Sequence, residues 1–227
     1  MMSVLYTVST WILPALLAIT LHEAAHGFAA WQLGDDTAKR AGRLSLNPLR
    51  HVDPMGTVVV PGLLLLVKAP FLFGWAKPVP VDFWRLPSPR RDMAIVAAAG
   101  PGINLLQAYI ALLLFHLLPL FGGAADGWIS DNLENALQIN LILCVFNMIP
   151  VPPLDGGRVA VGLLPLALAR PLARVERYGM VLLLILLLVV PLAASQFGID
   201  WNPLFALITP VVNWLAGLLL MLSGHGG

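Results

Sequence analysis

Long apolar runs separated by short charged intervals dominate the chain, at about 4–33, 56–74, 92–121, 133–168, 179–197 and 203–223. Several reach the roughly 20 residues that a helix needs to cross a hydrocarbon layer about 30 Å thick. The pattern predicts an all-α polytopic membrane protein with about five to six transmembrane helices. The charges between the runs are unevenly shared. Lys39, Arg40, Arg43 and Arg50 form one basic cluster, Lys77, Arg85, Arg90 and Arg91 a second, and Arg158, Arg170, Arg174 and Arg177 a third. The intervals 122–134 and 198–202 hold Asp126, Asp131, Glu134 and Asp200 and no Lys or Arg. The positive-inside rule then puts the basic clusters in the cytoplasm and the acidic intervals outside, giving five crossings with the N-terminus outside and the C-terminus inside. Trp31, Trp75 and Trp84 near the inner ends, with Trp128 and Trp201 near the outer ends, suit interfacial belts.

Two runs depart from this pattern. The run 56–74 has basic flanks on both sides and holds Pro61, Gly62, Lys68 and Pro70. It reads as a re-entrant hairpin sheltered by protein, with an ordinary sixth span as the alternative. The run 133–168 is interrupted at "NMIPVPPLDGGR", 147–158. Pro150, Pro152 and Pro153 remove backbone donors, and Gly156 and Gly157 permit turns, so a helix must open there. Unwound backbone at membrane depth lines a site. Between the runs, "GRLSL" (42–46) alternates like a strand and "KPVPVD" (77–82) reads as a Pro-punctuated edge or non-ladder strand, with plain loop as the alternative for both.

Composition narrows the partners. Of 227 residues, 59% are hydrophobic and 11% charged, with a net charge of +1. The mean hydropathy of +0.84 is that of a membrane protein. No basic stripe interleaved with aromatic residues is present, so no nucleic-acid partner is expected. Cys144 stands alone, which excludes an internal disulfide and every cysteine-based zinc pattern. The N-terminal run lacks the basic n-region of a signal peptide and reads as retained. One integral-membrane domain over 1–227 is expected, with a catalytic core at about 4–168 and accessory helices at about 179–223.

The chemistry lies in "LHEAAHGFAA", 21–30. On a helix, His22 and His26 are four residues apart and share a face, so both imidazoles can reach one tetrahedral metal. Glu23 is then placed to act on a water beside that metal. This is H-E-x-x-H, the spacing in which two histidines bind zinc and the glutamate serves as general base. A charged residue near mid-bilayer costs about 2.5–3.5 kcal/mol on insertion scales, so three ionisable residues in five positions mark a functional site. A catalytic zinc takes three protein ligands and leaves one position open. Asp155, in the broken run, is the candidate third ligand. His51, His116 and His225 read as interfacial or exposed, and Asp53 and Asp92 as partners of the neighbouring Arg50 and Arg91.

His22-Glu23-Ala24-Ala25-His26 followed far downstream by "NMIPVPPLDGG" resembles the site-2 protease family of intramembrane zinc metalloproteases. The resemblance extends to "GRLSLNPLRHVDPMG" (42–56), "FGWAKPVPVD" (73–82) and "AGPGIN" (99–104), so it covers about residues 20–160. It implies one zinc per chain held by His22, His26 and Asp155, with Glu23 activating the water. It further implies that Asn147 holds the substrate backbone or the developing oxyanion, and that an extended substrate pairs with a small membrane-associated β-sheet. The implied partners are a transmembrane protein substrate and the lipid bilayer, in a bacterial cell membrane with the site toward the cytoplasm. The chain departs from larger members in showing no PDZ module and no appended regulatory domain, so it reads as a minimal core. Two rival classes are a metal-binding transporter and a catalytically inactive scaffold. Against the first, no internal repeat of the kind that frames transporter sites is visible. Against the second, all four key residues are present.

Overall fold

The first apolar run forms a single helix, α1 (Met2–Gln32), which passes Pro14 without breaking. It stops where a glycine permits: Gly34 has a φ of +108°, and the amides of Gly34 and Asp35 fold back onto Trp31 O and Ala30 O at 3.0 and 2.9 Å. The computed structural model describes residues 2–66, 74, 76–120, 124–199 and 201–224. Five further helices of eight residues or more follow. They are α2 (Pro89–Phe115), α3 (Ala124–Asn147), α4 (Asp155–Leu163), α5 (Leu166–Gln196) and α6 (Pro203–Leu222). Helix α5 widens into a π-helical turn at Ile185–Val189. Helix starts follow capping chemistry. Pro89 and Pro203 occupy first-turn positions; Asp92 accepts from Ser88 N at 2.8 Å, and Asn202 Oδ1 accepts from the amides of Leu204 and Phe205.

Among the described residues, four helices are long and apolar enough to cross a membrane: Leu5–Gln32, Pro89–Phe115, Leu166–Gln196 and Pro203–Leu222. Helix α3 falls where a fifth crossing is expected, and its 24 residues rise about 36 Å. It is less apolar than those four, because it carries Asp126, Asp131 and Glu134 in its first half and asparagines that serve the interior. Asn135 Nδ2 donates to Thr10 O of α1 at 3.1 Å, and buried Asn140 and Asn104 join α3 to α2 at 2.7 Å. Helices α1, α2 and α6 all pack against α3, and α2 in turn packs against α1, α3 and α4, so the bundle is built around the α2–α3 pair. One apolar core joins Ala108 and Leu112 of α2, Leu141 of α3 and Leu219 of α6; another joins Val145, Leu187, Leu204 and Ile208.

The β-sheet does not form. Residues 43–47 and 76–82 adopt no regular secondary structure, and no strand occurs among the described residues. Pro78 and Pro80 cannot donate to a ladder. Side chains satisfy the segment instead: Arg43 donates to Lys77 O at 2.7 Å, and Asp35, fully buried, accepts from Asp82 N at 2.7 Å. The run 56–74 is helical as far as described, a π-helical turn at Pro54–Val59 continued by Val60–Leu66. The remainder of the expected hairpin, 67–73 with Lys68 and Pro70, lies outside the described residues, as do Trp75, Asp200 and His225. The third basic cluster is helical rather than loop, with Arg158 on α4 paired to Glu176 on α5 at 3.3 Å.

The break between α3 and α4 falls where the prolines require it. Its glycines have a different use from the turns expected of them, since Gly156 and Gly157 are helical residues in the first turn of α4. A Cβ on Gly157 would stand 2.2 Å from Pro152 N, and one on Gly156 2.2 Å from Met148 O. Gly179 on α5 closes the other side, where a Cβ would stand 1.9 Å from Pro152 O. Hydrogen replaces methyl at three places so that the proline-rich strap can lie between two helices. That packing fixes where Asp155 begins α4.

Candidate metal centre

The four-residue spacing of His22 and His26 puts both imidazoles on one face of α1, edge to face with ring centroids 4.7 Å apart. Their Nε2 atoms are 3.1 Å apart. Asp155, first residue of α4, brings Oδ2 to 3.2 Å from His22 Nε2 and 3.4 Å from His26 Nε2. His22 and Asp155 are buried, 7% and 8% exposed. The outer nitrogens fix the tautomers. His22 Nδ1 lies 2.5 Å from Asn104 Oδ1 and His26 Nδ1 2.8 Å from Val96 O. Neither carbonyl oxygen has a hydrogen to give, so each ring donates from Nδ1 and turns an Nε2 lone pair inward.

Two nitrogen lone pairs and a carboxylate oxygen thus converge on one point, and Asp155 Oδ2 is buried without a hydrogen-bond partner. Such a set repels itself unless a cation sits among its members. Zinc–nitrogen bonds of about 2.0–2.1 Å put the ligands of a tetrahedral site about 3.3 Å apart. The separations of 3.1, 3.2 and 3.4 Å fit that spacing, and imidazole with carboxylate is a donor set that zinc accepts. Space is reserved for the rings by α2. A Cβ on Gly100 would stand 2.5 Å from His26 Nε2 and 2.6 Å from His22 Cε1, so only hydrogen fits at that position.

Glu23, beside His22, is held from the other side: its Oε2 accepts from Val79 N at 2.8 Å. Val79 is buried in the segment that Arg43 anchors through Lys77 O, and Lys77 N donates to His51 O at 2.8 Å. Gly27 lets this layer come close, since a Cβ there would meet Leu44 Cδ2 at 2.7 Å and Val79 Cγ1 at 3.0 Å. The segment expected to be a strand is therefore a strap beside the glutamate.

His22, His26 and Asp155, separated by 129 residues between the last two, are brought together, whereas Asn147 is not bonded to them. Its Nδ2 donates to Leu143 O at 3.0 Å within α3. His51 is buried rather than interfacial, 2% exposed, with Nε2 2.8 Å from Ser45 O. Exposed His116 lies 2.7 Å from Ser223 O, away from the centre. Asp53 and Asp92 do not pair with arginines; they accept from the backbone amides of Gly56 and Ser88, because helix starts offer unpaired donors nearer than any guanidinium. Asn104, Gly100 and Val79 were not singled out as site residues. Asn104 and Gly100 stand in "AGPGIN", where an asparagine and close glycines in an apolar run were the available signal.

The model of Peptidase family M50 matches residues 122–190, which hold α3, the break, α4 and most of α5. The chain is 38% identical over 179 residues to YwhC of Bacillus subtilis, named as a zinc metalloprotease; the match covers 77% of this chain and 78% of the relative. It is 33% identical over 186 residues to Rip2 of Mycobacterium tuberculosis, also named as a zinc metalloprotease, covering 81% of this chain and 68% of the relative. With Rip2 of Mycolicibacterium smegmatis the identity is 31% over 176 residues, 76% of this chain and 64% of the relative. No solved structure matches.

Proposed function

The chain belongs to peptidase family M50, the site-2 proteases, and is a zinc metalloprotease; from that premise we propose that it cuts transmembrane segments of other membrane proteins, within the bilayer. The observation that carries this reading is the convergence of His22 Nε2, His26 Nε2 and Asp155 Oδ2 within 3.4 Å, on helices of a largely apolar bundle. These three residues would hold one zinc per chain. Bound there, zinc supplies Lewis acidity, lowering the pKa of a water toward about 7 and polarising the scissile carbonyl. Glu23 takes the proton from the attacking water and returns it to the leaving amine. The Val79 amide steadies the glutamate while it does so. Asn147 offers an uncharged donor to the oxyanion, which requires it to exchange its bond to Leu143 O for one to substrate.

The whole chain acts as one integral-membrane domain in this reading, with the catalytic core in α1–α4 and with α5 and α6 accessory. In this reading the site faces the cytoplasmic side of a bacterial cell membrane, where water reaches it, an orientation that the basic clusters support. The test is co-expression with a panel of tagged single-pass membrane proteins. Glu23→Gln is expected to lower cleavage by about 10²- to 10⁴-fold, and Asp155→Ala to lower bound zinc per chain. Cleavage that survives Glu23→Gln overturns the mechanism, and zinc passage into liposomes without proteolysis favours a transporter.

A further inference from the structure

Behind His22, outside the ligand set, lies a short line of amides. Asn104 of α2 is fully buried. Its Oδ1 is 2.5 Å from His22 Nδ1, while its Nδ2 donates to Ala18 O of α1 at 3.2 Å and to Asn140 Oδ1 of α3 at 2.7 Å. Asn140, 2% exposed, donates in turn to Ala136 O at 2.9 Å. The direction of each bond is fixed by its end. The carbonyls of Ala18 and Ala136 only accept, so each asparagine must turn its NH₂ toward them. Asn104 therefore faces His22 with its oxygen, and no rotation of the amide satisfies Ala18, Asn140 and His22 together in another way.

We propose that Asn104, braced by Asn140, is a positioning residue that sets the tautomer and ring angle of His22 as a metal ligand. The inference rests on the zinc reading of the site. In water-exposed sites a carboxylate often receives the outer N–H of a ligand histidine. A carboxylate behind His22 would add a second buried negative charge beside Asp155, in surroundings that cannot solvate it. An amide supplies the same acceptor with no net charge. It also has two hydrogens left over, and these rivet α1 and α3 to α2 at the level of the metal. His26 is held differently, by the backbone carbonyl of Val96 at 2.8 Å. Only the His22 half of the pair is thus open to control by a side chain.

Two roles for Asn104 predict opposite orders of effect. Asn104→Asp keeps the acceptor toward His22 and loses both donors; Asn104→Leu keeps the volume and loses everything polar. If Asn104 positions the ligand, Leu weakens zinc about 10- to 100-fold, Asp recovers most of that loss, and Asn140→Leu has a smaller effect than Asn104→Leu. If Asn104 only joins helices, Asp is as damaging as Leu or worse. The measurement is zinc affinity of the full-length protein in lipid nanodiscs, by competition with a chelator of known affinity and without any substrate. Equal losses in the Asp and Leu variants, or no loss in either, overturn the proposal. The second buried charge of Asn104→Asp costs stability rather than the acceptor, and bound zinc offsets it, so affinity is compared on folded protein; should Asn104→Leu not fold, Asn104→Asp decides alone, retained affinity supporting the proposal and lost affinity overturning it. A wild-type chain that binds no zinc would sink the metal reading itself, which separates that failure from failure of the amide line.

Discussion

Helices α3 and α6 lie against each other and are built by opposite rules. Helix α3 carries Asn135 and Asn140 inward, and through them it is bonded to α1 and α2. Helix α6 meets the bundle along its length with Leu204, Ile208 and Leu219, an apolar contact, and takes hydrogen bonds from α2 at its C-terminal end, where Tyr109 donates to Leu222 O and His116 lies 2.7 Å from Ser223 O. Lipid is as apolar as leucine, so side-chain packing in a membrane brings helices together without strongly preferring one rotation over another. Directional bonds do prefer one. In the interior the polar bonds gather around α1–α3, beside the candidate ligand His22, whereas along the body of α6 dispersion serves.

The hardest blow to this division falls at Gly100. Replacing it with Leu would force a side chain into the space of both imidazoles, where even a Cβ stands 2.5 Å from His26 Nε2. Because two of three ligands are displaced together, zinc binding and proteolysis are expected to vanish. Gly102, two residues on and so on the opposite side of α2, has nothing within 4 Å of a built Cβ and provides the contrast. Gly102→Ala is expected to leave zinc content at the wild-type level. Zinc measured by elemental analysis on both purified variants checks the pair, and full zinc in Gly100→Leu would show that α2 can retreat and that its rigidity is overstated.

Most of the helices and the meeting of three candidate donor side chains were legible in the sequence, for reasons that also explain what was not. His22 and His26 were readable because helical spacing is a local rule, and Asp155 because an acidic residue beside three prolines is costly in a membrane unless it has a task. The break at 147–158 was readable from missing donors. Gly156, Gly157 and Gly179 were misjudged or passed over, since a need for close approach arises between elements and leaves no periodic mark. The sheet failed because alternation says which way side chains point and nothing of whether a partner strand exists; Arg43 and Asp35 took the bonds a ladder would have used. Asn104 bonds one helix to another, as a lone asparagine in an apolar run does. That it also touches His22, 82 residues earlier, could not be read from spacing.

A smaller effect is expected where the strap meets the glutamate. Val79→Pro removes the amide that donates to Glu23 Oε2 in a segment already punctuated by Pro78 and Pro80. A hydrogen bond to a charged group contributes about 1.5 kcal/mol, so kcat/KM should fall about tenfold while zinc content stays unchanged. Val79→Ala keeps the amide and should retain most of the activity. If the two variants lose activity equally, the side-chain packing matters and the amide does not; a rise in Val79→Pro would turn the contact into a brake on the base.

The mildest change tests the other side of the comparison. Ile208, 3% exposed, sits in the apolar cluster joining α6 to Val145 of α3 and Leu187 of α5. Truncation to Ala removes three carbons from a packed contact, and in a soluble core such a change costs about 2–5 kcal/mol. In lipid the cost should fall below that range, because acyl chains can fill part of the space and the exposed surface is not penalised by water. The expected result is a modestly lower thermal transition with unaltered zinc affinity. The reason is geometric: Val145 lies on the same helix as Asn140 but more than a turn beyond it, and the amide bond to Asn104 holds α3 in rotation whatever happens at the α6 contact. Should Ile208→Ala weaken zinc as much as Asn140→Leu does, apolar packing at α6 would be setting the orientation of α3, and the two helices would differ in composition but not in what they do.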